Sequence, residues 1–132
     1  MNVIAMKAQL IAAEKIEFDA FRNQHSLANV LNSMTVPLFP AAVITDVLVK
    51  INFESRDYIT EAEFTVVSPE GKIVCSKSSL PIKNLRTEKE VPGIDLAFNA
   101  RFPVVEKGNY YYKLVVNNQL LCEYPVYIYS KG

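Results

Sequence analysis

The chain carries one histidine, four glycines and two cysteines in 132 residues, with no excess of charge of either sign. Each scarcity removes a class of chemistry. With His25 alone, and Cys75 and Cys122 far apart, the spacing of a zinc site is missing. A single histidine in the polar stretch Asp19 to His25 reads as a surface turn residue rather than a general base, because no partner is visible beside it. The glycines never gather into a phosphate-cradling loop, and Ser76, Ser78 and Ser79 lie outside any nucleophile-elbow pattern. The carboxylates between Asp57 and Asp95 do not have the spacing of a known calcium loop and read as solvated strand faces and loop tips. The expectation is no enzyme: no catalytic residues, no metal and no cofactor.

Fourteen acidic residues offset fourteen basic ones, so no global field draws the chain to nucleic acid or to an anionic membrane. No run approaches the roughly 18 apolar residues of a membrane helix. The start, Met1 to Lys7, lacks a positively charged leader, and Lys7 and Glu14-Lys15 break its apolar stretch, which argues against a signal peptide and for a cytoplasmic protein. Cys75 and Cys122 then read as small buried hydrophobes. The alternative, a disulfide between sheets, requires their strands to face each other.

Half of the residues are hydrophobic and 21% are charged, the balance of one packed domain spanning 1–132. The periodicity is that of strands. Val43, Thr45, Val47, Val49, Ile51 and Phe53 alternate with Asp46, Leu48, Lys50 and Asn52, and Ala62, Phe64 and Val66 alternate with Glu61, Glu63 and Thr65. Ser68-Pro69-Glu70-Gly71 has type I turn chemistry and joins the second of these strands to Lys72 through Ser76 as a hairpin. Lys7 to Asp19 is expected as a strand. Ser26 to Met34 is open between a strand and a short helix, since Leu27, Val30, Leu31 and Met34 match helical spacing. Lys77 to Gly93, rich in charge, reads as a long mobile surface loop.

The closing segment decides the architecture. Ile94 to Phe102 is an apolar run, Glu106 to Asn109 a corner, Tyr110 to Val116 an aromatic strand, and a last strand ends at Tyr129. A bare two-residue loop at Asn117-Asn118 sets Val116 against Gln119 and Tyr112 against Glu123, mixing charge into an apolar face. A three-residue loop, Asn117 to Gln119, instead opposes Val116 with Leu120, Leu114 with Cys122, Tyr112 with Tyr124 and Tyr110 with Val126, and places Lys113 opposite Glu123. The longer loop is therefore expected. It turns Tyr110, Tyr112 and Tyr124 inward and leaves Tyr111, Tyr127 and Tyr129 on the other face, open to anchoring a protein, to packing within the chain, or to stacking a sugar or base. Pro37 and Pro40 make Val36 to Pro40 a loop or sheet edge, and a loop this apolar should be covered or meet a partner.

Several pieces in order resemble a known family: Ala12 to Ile16 leading into Ser26 to Val30, then Phe39-Pro40-Ala41, Ser68 to Lys72, Lys107-Gly108-Asn109-Tyr110 and Leu120 to Pro125. Together they resemble an uncharacterised family, a domain of unknown function, of small bacterial and phage-associated proteins. The resemblance spans nearly the whole chain. It implies an all-β, antiparallel immunoglobulin-like β-sandwich of seven to nine strands, makes Ser26 to Met34 a strand, and carries over no catalytic residue. The function expected is that of a non-catalytic interaction module in the cytoplasm of a bacterium or phage-infected host, its partner a protein, with a second copy among the candidates. Val36, Leu38, Phe39, Tyr111, Tyr127 and Tyr129 are the candidate contact residues. The alternatives are a phage-encoded inhibitor of a bacterial defence system, acting by binding, and a small-molecule or carbohydrate binder.

Overall fold

Every odd position from Val43 to Phe53 is buried within a 13-residue strand, with Leu48 buried as well on the other face, and the rest of the chain is arranged around the odd-numbered face. The computed structural model describes residues 6–132 and contains nine strands and, among the described residues, no helix. They are β1 (Met6–Asp19), β2 (Gln24–Val30), β3 (Ser33–Val36), β4 (Ala41–Phe53), β5 (Ile59–Val67), β6 (Ile73–Lys83), β7 (Gly93–Val104), β8 (Gly108–Val116) and β9 (Gln119–Ser130). One sheet has the order β2-β1-β4-β7 and the other β3-β9-β8-β5-β6. All pairings are antiparallel except that of β3 with β9. The expectation about a leader falls largely on residues 1–5, outside the described residues.

The inner faces meet in an aromatic seam. Phe102 of β7 lies 5.8 Å from the Tyr110 ring and 5.9 Å from that of Tyr112, and Phe64 of β5 meets Phe98 of β7 at 4.9 Å. The Tyr112 hydroxyl, which could not be left unpaired in this seam, shares a 2.8 Å hydrogen bond with the buried Thr45 hydroxyl of β4. At the corner into β8 the Tyr110 hydroxyl donates to the Glu106 carbonyl oxygen at 2.8 Å. Gly108 permits this corner: its φ is +141°, and a Cβ there would strike Pro69 at 2.6 Å.

Strands β1, β4 and β5 and the hairpin at Ser68 to Gly71 lie where the sequence predicts them. Four expectations need correction. The closing loop has two residues: Val116 pairs with Gln119, and Asn117 and Asn118 both take positive φ, 51° and 61°, as a two-residue hairpin turn requires. The predicted inner pairs below it survive because Leu121 is extra, so the register recovers at Leu114 with Cys122 and continues to Tyr110 with Val126. The feared charge on the inner face is thereby avoided, with Lys113 and Glu123 paired at 3.7 Å on the outer one.

Second, Ser26 to Met34 is neither one strand nor a helix. Leu31 is buried and donates its N–H to the Ala12 carbonyl, and the chain then crosses to the other sheet as β3. Leu27 and Val30, which suggested helical spacing, are exposed. Third, the first turn is narrower than Asp19 to His25, because Gln24 and His25 already pair with Asp19 and Phe18. Fourth, β6 continues to Lys83 inside the presumed loop; Ile82 is wholly buried, and a register shift opposite Ala62 and Phe64, with Ser79 at φ 57°, hides the alternation.

The Thr45–Tyr112 bond supports a prediction. Thr45→Val leaves a buried phenol unpaired and should lower stability by about 1–3 kcal/mol in chemical denaturation, whereas adding Tyr112→Phe should recover most of that loss. Equal losses in the single and double variants would show that the bond does not hold the seam.

Candidate functional site

The inward turn of Tyr110 and Tyr112 dictates the outer face of the same sheet, because successive side chains of a strand point to opposite sides. Tyr127 and Tyr129 of β9 project there with rings stacked at 5.6 Å, each about 40% exposed. Tyr111 of β8, opposite Pro125, is half-buried on the same face. On the other side β3 sets only Ser33 and Thr35 beside the two rings, leaving their flank open. The Val36–Pro40 loop runs along the end of β9, where the Lys131 N–H donates to the Val36 carbonyl at 3.1 Å. Leu38 stands 67% exposed at that end, but Phe39 is half-buried and packs on the core. Val36 is 5% exposed and belongs to the core, so it is removed from the candidate surface. The structure thus brings Tyr111, Tyr127 and Tyr129 together as the strand parity predicts, with Leu38 beyond their edge.

A second feature was not foreseen. Pairing of β1 with β4 ends at Ala13 with Asp46, yet the hairpin tip at Asn23, Gln24 and His25 lines a cleft with Lys50 and Asn52, which lie back along β4 beside Gln9 and Lys7. A straight strand would carry the tip about 20 Å the other way, at roughly 3.3 Å per residue. The outer half of the β1–β2 hairpin therefore folds back over its own sheet, tied by the Ile16 N–H to the Asp46 carboxylate at 2.8 Å. His25 is consequently not a free turn residue; it packs on Phe18 with ring centroids 4.8 Å apart. The cleft holds about 490 Å³.

Its floor is an ion cluster. Arg86 and Lys50 both donate to Asp95 Oδ1, at 2.9 and 2.7 Å, and Arg86 also bonds the Asn52 side chain. Burial works to raise the pKa of Asp95, but the hydrogen bonds and charges of Lys50 and Arg86 outweigh it and hold the carboxyl below its ordinary value. Arg56 grips the other side of the 84–92 segment through the carbonyls of Thr87, Glu88 and Glu90. The charge of this stretch, which suggested a mobile loop, fastens it instead. Among the described residues no group of three His, Cys, Asp or Glu side chains gathers as metal ligands, and no helix is long and apolar enough to cross a membrane.

Cys75 and Cys122 are free and half-buried on the same sheet, with β5 and β8 between their strands, so the disulfide alternative is excluded. Burial pushes the Cys122 thiol up to about 11.

No protein-family model matches the chain, and no curated protein matches it. Among solved structures it is similar to part of β-glucosidase 3B from Thermotoga neapolitana, in complex with glucose, at 12% identity and a TM-score of 0.42, over 94% of this chain and 16% of that one. It is also similar to the putative ApaA protein from Bordetella pertussis at 10% identity and a TM-score of 0.37, over 92% of this chain and 88% of that one. At this similarity neither protein's chemistry transfers to this chain.

Two outcomes are expected from these groups. Because the Asp95 carboxyl is held below its ordinary 3.8, its grip on residues 84–92 should be complete above that pH and fade as pH falls below it. Amide-exchange protection at Leu85 and Gly93 should drop in that range, and Asp95→Asn should show the same loss at neutral pH; unchanged protection in both would contradict the assignment. For the cysteines, two thiols should titrate in denaturant, with Cys122 slow in the folded protein at neutral pH.

Proposed function

We propose that the chain is an immunoglobulin-like sandwich working as a non-catalytic interaction module, with a protein partner seated on the tyrosine face of its second sheet. The neighbour order β9-β8-β5-β6 parallels the G-F-C-C′ order of such domains, and β1-β4-β7 parallels A-B-E. The Tyr110 hydroxyl bonded four residues back, at the corner between β7 and β8, is where those domains carry their tyrosine corner. For the binding role one observation carries the weight: Tyr127 and Tyr129 are stacked and partly open to solvent on β9. Paired rings of this kind offer a partner large contact area with little side-chain entropy left to lose. We place this role in a bacterial or phage-infected cytoplasm. A phage-encoded inhibitor of a defence system would act through the same face.

The cleft supports a second reading, a small polar ligand such as a sugar, because His25 lines it together with Asn52, Lys50 and Asp95, and Phe18 lines an adjoining hollow that shares His25, Arg86 and Asp95. A thermal-shift screen with monosaccharides would reveal such binding.

Tyr127→Asp and Leu38→Asp should leave the fold intact, since both side chains are exposed. Each should weaken capture of a protein partner, by about tenfold or more for Tyr127 if it is a contact hot spot worth roughly 2 kcal/mol. Folded variants that capture the same partner at full strength would refute the tyrosine face.

A further inference from the structure

The two sheets have four edge strands, and three of them are guarded against pairing with another chain. β3 is four residues long and followed by Pro37. β6 carries Lys77, Pro81 and a register shift, and β7 carries Arg101 and Pro103 and runs beside β6. β2, Gln-His-Ser-Leu-Ala-Asn-Val, has no charged residue and no proline, and among the described residues no strand lies on its outer side. The same hairpin exposes more apolar surface than an isolated monomer needs: Phe21 is 100% exposed, Phe18 53% and Val30 46%.

We infer that two copies of the chain pair through β2, antiparallel about a two-fold axis at Ser26. This deepens the reading of the chain as an interaction module, on which it rests, by naming a second copy as the partner at an interface separate from the tyrosine face. The register follows from the backbone. Gln24 to Ala28 pair regularly with β1, while Asn29 at φ 57° ends the part of the edge that can accept a neighbour. Centring on Ser26 uses those five residues and no others. Gln24 then opposes the second copy's Ala28, Ser26 its counterpart, and His25 the second copy's Leu27, so that none of the five paired residues is an acid, a lysine or an arginine.

The His25 side chain packs on Phe18, and Leu27 lies opposite Ile16 on β1. The His25–Leu27 pairs therefore join two apolar strips into one across the seam. The same register carries each hairpin tip past the end of the other β2, so that Arg22, next to the exposed Phe21, comes level with the second copy's Val30. With one unguarded edge among the described residues of each chain, such pairing closes as a dimer and does not propagate into a fibre.

Light scattering of the full chain should give twice its 14.9 kDa mass. L27K and H25E should each give the mass of one chain while retaining the far-ultraviolet dichroism of the sheet. The double variant H25E/L27K sets opposite charges against each other in both seam pairs and should restore the doubled mass. A wild-type chain that stays single at all concentrations overturns the inference, as does a dimer unaffected by L27K and H25E. A folded double variant that stays single overturns the register. The tyrosine-face reading is judged separately: if Y127D, and not L27K, dissociates the dimer, that face stands and the β2 interface falls.

Discussion

The aromatic seam between the sheets fixes which side of β8 and β9 faces outward. Tyr110 and Tyr112 are at most 1% exposed, and a phenol can be buried so completely only if its hydroxyl is paired. Thr45 supplies that partner for Tyr112 from the facing sheet, and the Glu106 carbonyl supplies it for Tyr110 from the corner. These bonds hold β8 in one rotation about its axis. β9 follows through the ladder, so Val126 and Ile128 go inward and Tyr127 and Tyr129 outward. The exposed rings are thus a geometric consequence of the buried ones.

The surface around this core is uneven in its defences. The 84–92 segment is clamped by two arginines, and three of the four sheet edges carry proline, charge or irregular pairing. The outer edge of β2 carries neither proline nor charge. The β1–β2 hairpin leaves its sheet after Ala13, folds back over β4, and displays its apolar residues. Among the described residues, β2 is the edge left without proline or charge, and the dimer inferred above rests on that difference.

How much of this was legible in the sequence depended on whether the signal was local. Strict alternation identified β4 and β5, and proline and glycine placed the 68–71 turn, because each depends on neighbours a few residues apart. The inward and outward tyrosines were also readable from parity. The closing loop was misjudged because Leu121 inserts an extra residue that no pattern marks, so the correct inner pairs arise from a shorter turn. Polar composition concealed the second half of β6, whose alternation slips by one residue at Ser78 and Ser79. The split of 26–34 between two sheets, the burial of Val36 and the folded-back hairpin all depend on contacts distant in sequence, such as Leu31 with Ala12 and Ile16 with Asp46. Single-chain periodicity holds no trace of these. The cleft was invisible for the same reason, as its walls come from residues 18–25 and its floor from residues 50–95.

The most direct test of the inward–outward division is chemical nitration of the folded chain, mapped tyrosine by tyrosine by mass spectrometry. Tyr127 and Tyr129 should be modified early while Tyr110 and Tyr112 stay protected until the protein unfolds. Early modification of Tyr110 or Tyr112, with Tyr127 and Tyr129 spared on a single folded chain, would contradict the account.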